Sequence, residues 1–214
     1  MIAGKEEIAR YFESLLNKHG DDFLSLDWKS KESQLVRFAA LIDIIFHGPK
    51  NSSISLLDVG CGIGHLYEFL KDTDLIHSLN IRYEGIDISS GMIDFARKKF
   101  KDVKFAVVDI LNDGFDGKFD YVMCSGAFNI RMAPLEAHKG SVRRMLKKMF
   151  DISDHGAAVN FLSPPRGHEG EASSDDKYVY FSEEEVLSWV KDTCDRFILR
   201  RDYHPGDFTV YMLK

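Results

Sequence analysis

The chain has 214 residues, a net charge of −6 and a pI of about 5.7, with 44% hydrophobic and 29% charged residues. This length and composition are those of one globular domain and exclude collagen, coiled coil and a largely disordered chain. Proteins that bind duplex nucleic acid normally carry a basic surface. The acidic balance therefore favours small molecules or proteins as partners and predicts no nucleic-acid partner.

Cysteine usage and the N-terminal sequence predict a cytoplasmic protein. Cys61, Cys124 and Cys194 are odd in number and widely spaced, with no CxxC pair and no His cluster at metal-ligand spacing. The first 20 residues lack the apolar core of a signal peptide. The most apolar stretch, 38–46, is broken by Asp43 and is too short to span a bilayer. We therefore expect a soluble intracellular chain with no membrane partner and no metal.

The spacing of apolar residues predicts two amphipathic helices, over residues 4–19 and 31–47, before a breaker at 47–53. We expect residues 1–50 to form an N-terminal helical cap on a main domain over 51–214. In that domain, apolar strands and helices alternate. Strands are predicted over 54–60, 82–88, 103–110, 118–126 and 157–163, and helices over 64–72, 89–100, 136–153 and 182–192.

Two last strands are predicted over 197–203 and 208–213, joined by a short turn. A turn of this length leaves no room for a crossover, so these strands form an antiparallel hairpin, whereas the preceding strands need crossover helices and run parallel. The predicted fold is therefore of the α/β class. It is a doubly wound, mostly parallel seven-stranded sheet with an antiparallel C-terminal hairpin at its edge.

A glycine-rich turn follows the first predicted strand. Gly60, Gly62 and Gly64 lie in LLDVGCGIGHL (56–66), where glycines allow a ligand to approach the backbone closely. The spacing is GxGxG, unlike the GxGxxG of dinucleotide sites, and the preceding Asp58 would repel a phosphate. The turn therefore favours a ligand that carries positive charge.

Two more carboxylates end the next two strands. Asp87, in YEGIDIS, can accept hydrogen bonds from both hydroxyls of a ribose. Asp109, in VVDI, can bind an adenine that Ile88, Met92 and Ile110 enclose. Because ligands of open α/β sheets bind outside the carboxyl ends of the strands, we expect these side chains to line one nucleoside site.

These motifs resemble those of class I S-adenosylmethionine-dependent methyltransferases over residues 54–126. LDVGCGIG is similar to the first motif of that family, YEGIDIS to the second, VVDI to the third and FDYVMCSGAFN to the fourth. In topology the resemblance extends to the C-terminal hairpin, because the family has an antiparallel seventh strand at the sheet edge. The resemblance implies S-adenosylmethionine as cofactor and S-adenosylhomocysteine as product.

The resemblance also implies roles for individual residues. The turn 60–64 and Asp58 would hold the methionine part, Asp87 the ribose and Asp109 the adenine amino group, while Ser125 and Gly126 would line the wall near the reactive methyl. Cys61 is interpreted as a small buried residue of the turn. The predicted cofactor-binding residues are Arg37, Asp58, Gly60, Cys61, Gly62, Gly64, Asp87, Ile88, Met92, Asp109, Ile110, Ser125 and Gly126.

The acceptor side carries fewer signals. The fourth motif reads Ser-Gly-Ala-Phe-Asn over 125–129 and departs from the Asn/Asp-Pro-Pro-Tyr pattern of base or amide N-methylation. With the acidic pI, this disfavours DNA adenine and glutamine amides and leaves O-, N-, S- or C-methylation of a small molecule. Phe128 and Asn129 are predicted to face the acceptor, with core packing as the alternative for Phe128.

The second cap helix offers a cation for the cofactor carboxylate. Arg37 lies one turn from Gln34 and is predicted to pair with that carboxylate, with a solvated helix face as the alternative. The polar stretch 163–181 is long for a strand–helix connection and predicts a lid.

A general base is needed only if the acceptor loses a proton in the transition state. The candidates are Tyr11, His65, His138 and His204, and the sequence favours none of them over surface or packing roles. The predicted function is methyl transfer to a small-molecule acceptor by direct displacement. The alternatives are a non-catalytic S-adenosylmethionine-binding module within a complex, and a nicotinamide-dependent oxidoreductase, which the glycine spacing and the hairpin oppose.

Overall fold

The computed structural model describes residues 4–164 and 177–214. The strands are β1 (Ile54–Val59), β2 (Ile81–Asp87), β3 (Lys104–Val107), β4 (Phe119–Cys124), β5 (Ser153–Leu162), β6 (Arg196–Arg200) and β7 (Asp207–Leu213). The α-helices are α1 (Lys5–His19), α2 (Lys31–Ile42), α3 (His65–Asp72), α4 (Leu75–Ser78), α5 (Ser90–Lys99), α6 (Leu135–Asp151) and α7 (Glu183–Lys191), and 3-10 helices cover Phe23–Leu26 and Asp43–His47.

The seven strands form one sheet in the order β3-β2-β1-β4-β5-β7-β6. Neighbours among β1 to β5 are parallel, and β7 runs antiparallel to both β5 and β6. The predicted α/β fold, with a mostly parallel seven-stranded sheet and a C-terminal hairpin at one edge, is confirmed.

One detail of the expected hairpin is wrong. β7 does not form the edge of the sheet, because it lies between β5 and β6. Every residue of β7 is buried, whereas β6 is largely half-buried. The more apolar strand of the hairpin therefore takes the interior position, where both of its faces are covered.

Several boundaries differ from the predicted ones. The second predicted helix continues as an α-helix only to Ile42, and residues 43–47 tighten into a 3-10 turn ahead of Gly48 and Pro49. β3 ends at Val107, three residues early, because the Asp109 carboxylate accepts the Leu111 N–H and turns the chain there. The helix α4 and the 3-10 helix Phe23–Leu26 were not predicted.

Apolar side chains cover both faces of the sheet. On one face Phe161 of β5 is fully buried, with ring centroids 5.2 Å from Phe181 and 5.3 Å from Phe208. On the other face Leu41 of α2 and Ile44 pack in the same cluster as residues of β1, β4 and β5. The second cap helix is therefore part of the main core. Among the helices in the described part of the chain, none combines the length and hydropathy that crossing a bilayer requires.

The aromatic cluster predicts where the fold is most sensitive to truncation. We expect Phe161→Ala to lower the free energy of unfolding by about 3–5 kcal/mol, because it removes buried apolar area and leaves a cavity. Phe46→Ala is the matched control, since Phe46 is 63% exposed and should change the stability by less than about 0.5 kcal/mol. Urea denaturation at pH 7 measures both, and equal losses in the two variants would contradict the assigned core.

Candidate functional site

The carboxyl ends of β1 to β5 open into one cavity of about 920 Å³, which α1, the segment 26–38 and the β6–β7 connection also line. All the predicted cofactor-binding residues line it except Gly64, and so do Phe128 and Asn129. Gly64 begins α3 with a positive φ of 86°, and a Cβ there would lie 3.0 Å from Phe100 and 3.1 Å from Phe105. Gly64 thus faces the aromatic core, and the structure does not bring it to the cavity.

The carboxylate of Asp87 connects the glycine turn to the start of α5. Its Oδ2 accepts the Gly62 N–H at 2.9 Å and its Oδ1 accepts the Ser89 N–H at 2.9 Å. Gly62 has a positive φ of 54°, and a Cβ there would lie 2.5 Å from Leu26, so a larger residue would be strained and crowded. Burial raises the pKa of Asp87, although the two backbone hydrogen bonds oppose this shift.

Asp58 is buried beside the glycine turn, and its Oδ2 accepts a 2.6 Å hydrogen bond from the Tyr83 hydroxyl. Burial raises the pKa of Asp58 to about 7; the Tyr83 bond lowers it and the nearby Asp87 carboxylate raises it. Neither Asp58 nor Asp87 forms a salt bridge with any residue in the ranges 4–164 and 177–214. Two buried carboxylates without a cationic partner in these ranges favour a cationic ligand and disfavour a phosphate.

Asp109 already has a cation from the cap. Its Oδ2 accepts hydrogen bonds from Lys5 of α1 at 3.2 Å and from Asn112 at 2.8 Å. Burial would raise the pKa of Asp109, but these bonds and the Leu111 N–H outweigh it and lower the pKa. The first helix therefore covers the part of the cavity where Asp109 lies.

Glu13 of α1, which the sequence analysis did not select, fixes that helix on the site. Its Oε1 accepts the Ser89 hydroxyl at 2.9 Å and the Gly91 N–H at 3.0 Å, at the N-terminus of α5. A carboxylate is stabilised at this end of a helix by the unpaired N–H groups. The small residues Ser89, Ser90 and Gly91 were a weak signal, and nothing in the sequence indicated their partner.

The segment after β4 is held by Asn160 of β5, a second residue that the sequence analysis missed. Asn160 Oδ1 accepts the Gly126 N–H at 2.8 Å, and its Nδ2 donates to Ser125 Oγ at 3.3 Å. A Cβ on Gly126 would lie 3.0 Å from Trp28, and the guanidinium of Arg37 stacks 4.9 Å above the Trp28 ring. The Trp28 ring therefore packs against both Gly126 and Arg37.

The second cap helix does not present Arg37 and Gln34 to solvent, so the solvated-face alternative is wrong. Both are buried: Gln34 Nε2 lies 3.2 Å from His65 Nδ1, and Arg37 pairs with Asp207 of β7. A buried guanidinium requires a partner of opposite charge, and the partner of Arg37 is Asp207, near the C-terminus. Arg37 Nε is buried without a hydrogen-bond partner among the described residues, and Arg37 lines the cavity. Its pairing with a ligand carboxylate remains a prediction.

The residues predicted to face the acceptor are also structural. Phe128 is buried and packs 6.0 Å from Phe161 between ring centroids, and Asn129 Oδ1 accepts the Leu162 N–H at 3.1 Å. Of the predicted lid, residues 165–176 lie outside the described residues. Within the described part, the Tyr178 hydroxyl donates to Asp27 Oδ2 at 2.7 Å.

The four candidate bases differ in their surroundings. His138 and Tyr11 do not line the cavity. His138 Nδ1 accepts the Met132 N–H at 3.4 Å and its Nε2 donates to the Phe128 carbonyl at 2.9 Å, so both ring nitrogens have structural roles. His65 and His204 line the cavity, and His204 Nδ1 lies 2.6 Å from Asp207 Oδ2.

Comparisons with known proteins agree with this geometry. Residues 56–149 match the sequence family described as a methyltransferase domain. The chain is 38% identical over 79 residues to the malonyl-acyl-carrier-protein O-methyltransferase of Acetivibrio thermocellus, covering 36% of this chain and 26% of that protein. It is 31% identical over 119 residues to the aklanonic acid methyltransferase DauC of Streptomyces sp. strain C5, covering 51% and 47%. The chain thus spans less than half the length of either relative.

Solved structures match over the whole fold. The magnesium protoporphyrin IX methyltransferase of Synechocystis PCC 6803, crystallised with S-adenosylmethionine, superposes with a TM-score of 0.67 at 17% identity, covering 100% of this chain and 98% of that one. The chain thus has the fold of class I S-adenosylmethionine-dependent methyltransferases, and residues 56–149 match a methyltransferase domain. The N-methyltransferase NodS of Bradyrhizobium japonicum, solved with S-adenosylhomocysteine, gives a TM-score of 0.64 at 15% identity, covering 96% and 97%. At these identities the likeness concerns the fold alone.

The raised pKa of Asp58 makes the stability pH-dependent. The folded protein keeps this proton up to about pH 7, whereas the unfolded chain loses it near 3.8, so Asp58 lowers the stability as the pH rises through that window. We expect the free energy of unfolding of Asp58→Asn, relative to wild type, to increase by roughly 2–3 kcal/mol between pH 5 and pH 8. Urea denaturation across this range measures it.

Asp109→Asn is the matched control in the same cavity. The pKa of Asp109 is lowered, so its contribution is lost only below its ordinary value of 3.8 and should stay constant between pH 5 and pH 8. A flat difference for Asp58→Asn as well would show that the Asp58 carboxyl titrates normally.

Proposed function

We propose that this protein catalyses S-adenosylmethionine-dependent methyl transfer to a small-molecule acceptor by direct displacement. The observation that carries the proposal is the single cavity. Three carboxylates at or just after strand ends, Asp58, Asp87 and Asp109, line it together with Gly126, Arg37 and His204. A site for a nucleoside alone would not need this whole lining. The volume of about 920 Å³ is at the upper end of small-molecule sites.

The residues present fit the cofactor. Asp58 and Asp87 have no cationic partner among the described residues, and a ligand with an ammonium or sulfonium centre supplies one. The unpaired Nε of Arg37 suits the carboxylate of the methionine part. We assign the ribose hydroxyls to Asp87 and the adenine amino group to Asp109, with Ile88, Met92 and Ile110 around the ring.

The bound cofactor supplies an electrophilic methyl group, so the protein has to position the acceptor and exclude water. Asn160 fixes Ser125 and Gly126 on the wall of the cavity. Glu13 and Lys5 hold α1 over the nucleoside end, which keeps water out. In a direct displacement, proximity and orientation of this kind supply most of the acceleration.

Calorimetric titration of S-adenosylhomocysteine and NAD into the wild-type protein tests this proposal first. We expect S-adenosylhomocysteine to bind and NAD not to bind. Asp87→Ala should weaken S-adenosylhomocysteine at least about tenfold, because the loss of one partner strands buried hydrogen bonds worth roughly 1–3 kcal/mol.

Asp94→Ala is the control, since the Asp94 side chain is 63% exposed on α5 and does not line the cavity. Its affinity should match that of wild type. No binding of S-adenosylhomocysteine at millimolar concentration would contradict the proposal, and binding of NAD would favour an oxidoreductase. Tight binding without methylation of any acceptor would favour a non-catalytic binding module.

A further inference from the structure

The buried carboxyl group of Asp58 shares one face of the sheet with two polar residues of β2. In the parallel register of β1 and β2, Asp58 is opposite Gly85, so Tyr83 and Asp87, two residues to either side of Gly85, lie on the same face. The Tyr83 hydroxyl donates to Asp58 Oδ2 at 2.6 Å. Gly85 has no side chain to fill this face, and a Cβ there would lie 2.8 Å from Cys61 Sγ. A hydroxyl, a second carboxyl group and a thiol therefore lie close to Asp58.

The two carboxyl groups on this face differ in their hydrogen-bond donors. Asp87 accepts two backbone N–H groups, from Gly62 and Ser89, each at 2.9 Å. Among the described residues, Asp58 has the Tyr83 hydroxyl as its single donor. A backbone N–H can only donate, whereas a hydroxyl can also accept, so Asp58 can carry a proton without leaving its neighbour unpaired. Where two close carboxyl groups share a site, the one with fewer donors to its charged form keeps the proton. That group is Asp58.

The titratable groups around Asp58, which come from β2, the glycine turn and β4, give it no positive charge. Burial raises the pKa of Asp58 to about 7; the Tyr83 bond lowers it and the Asp87 carboxylate raises it. Burial also raises the pKa of the Cys61 and Cys124 thiols and of the Tyr83 hydroxyl, so these groups stay neutral. Near neutral pH the carboxyl group of Asp58 is therefore poised between its two protonation states.

A ligand can reach this carboxyl group, because Asp58 lines the cavity beside Gly60 and Gly62. An ammonium group placed there would supply the positive charge that the surrounding side chains lack. In a buried site an opposite charge favours the ionised carboxylate, whereas a neutral ligand that covers the carboxyl group favours the protonated form. A proton and a ligand cation therefore compete for Asp58.

We propose that Asp58 is a proton-for-cation exchange site, where the protein without ligand holds a proton that the ammonium group of the methionine part replaces when the cofactor binds. This inference rests on the proposed function. The O–H bond of Asp58 breaks and its proton passes to solvent, and no other bond changes. Asp58 thereby selects a nucleoside that bears an amino-acid ammonium over a neutral nucleoside. Tyr83 is a positioning residue, because it acts through Asp58.

Calorimetry in paired buffers counts the protons that leave. S-adenosylhomocysteine is titrated into the full-length protein at pH 6 in phosphate and in imidazole, and at pH 8 in phosphate and in Tris. The members of each pair differ in ionisation enthalpy, so the difference in heat gives the protons released per ligand. We expect about one proton at pH 6 and close to none at pH 8. No release at pH 6, or equal release at both pH values, would overturn the proposal.

The affinity for S-adenosylhomocysteine should rise with pH. Below about pH 7 the ligand has to displace a proton from Asp58, and above it the carboxylate is already ionised. We therefore expect binding to tighten about 100-fold between pH 5 and pH 8 and to level off above that range. The neutral probe 5′-methylthioadenosine has the nucleoside and the thioether but no ammonium group, so it should bind no more tightly at pH 8 than at pH 5. The same rise for both ligands would contradict the exchange.

Two isosteric variants separate the carboxyl groups of the cavity. Asp58→Asn keeps the size of the side chain and an oxygen for Tyr83 but cannot ionise, so it should release no proton and show a flat affinity between pH 5 and pH 8. Asp109→Asn is the matched control. Because the pKa of Asp109 is lowered, that group is ionised throughout the range, and the variant should release as many protons per bound ligand as wild type.

Tyr83→Phe tests the positioning role. It removes a bond that lowers the pKa of Asp58, so the pH at which the affinity levels off should move above that of wild type. An unchanged curve would show that Tyr83 does not act through Asp58. Proton release by Asp58→Asn equal to that of wild type would overturn the proposal, and the wild-type titrations decide it without any variant. Failure of the wild type to bind S-adenosylhomocysteine would instead refute the proposed function.

Discussion

The buried carboxylate of Asp87 is the interaction on which the cavity beside the glycine turn depends. It accepts one N–H from the glycine turn and one from the start of α5, so the end of β2 fixes the segments on both sides of it. A buried carboxylate is stable only when such donors satisfy it. The turn can supply its donor because Gly62 adopts a positive φ and lets Leu26 approach closely. A larger residue at position 62 would displace both the backbone N–H that donates to Asp87 and the side chain of Leu26.

The charges along the cavity follow from this arrangement. Asp58 and Asp87 share the β1–β2 end without a basic partner among the described residues, and the Asp87 carboxylate raises the pKa of Asp58. Asp109 is balanced by Lys5, and at the far end Arg37 is balanced by Asp207. The cavity is therefore negative beside the glycine turn and balanced elsewhere. This charge distribution matches a ligand whose positive charge lies next to the turn. It does not match a dinucleotide.

The sequence predicts the parts of the site that depend on local pattern and on the parallel sheet. Strand-end carboxylates converge because parallel strands present their carboxyl ends at one edge, so the meeting of Asp58 and Asp87 was predictable. Contacts between distant segments were not. Periodicity assigns Glu13 and Arg37 to helices, but it fixes neither the angle at which those helices cross the sheet nor their partners. Glu13 meets Ser89 across 76 positions of the chain. The ion pair of Arg37 with Asp207 was not predicted, because Asp207 lies far along the chain from α2.

The position of β7 explains how the part of the cavity near His204 is assembled. β7 pairs with β5 so that Asp207 lies opposite Leu162, the last residue of β5. The first residue of β7 therefore lies beside the carboxyl end of β5, which lines the cavity. The β6–β7 connection, which contains His204, precedes that residue and lines the cavity as well. Had β7 formed the edge, as expected, Asp207 would lie one strand further away and could not meet Arg37 of α2. The insertion of one antiparallel strand thus allows a buried ion pair to connect the cap helix, the sheet and the histidine.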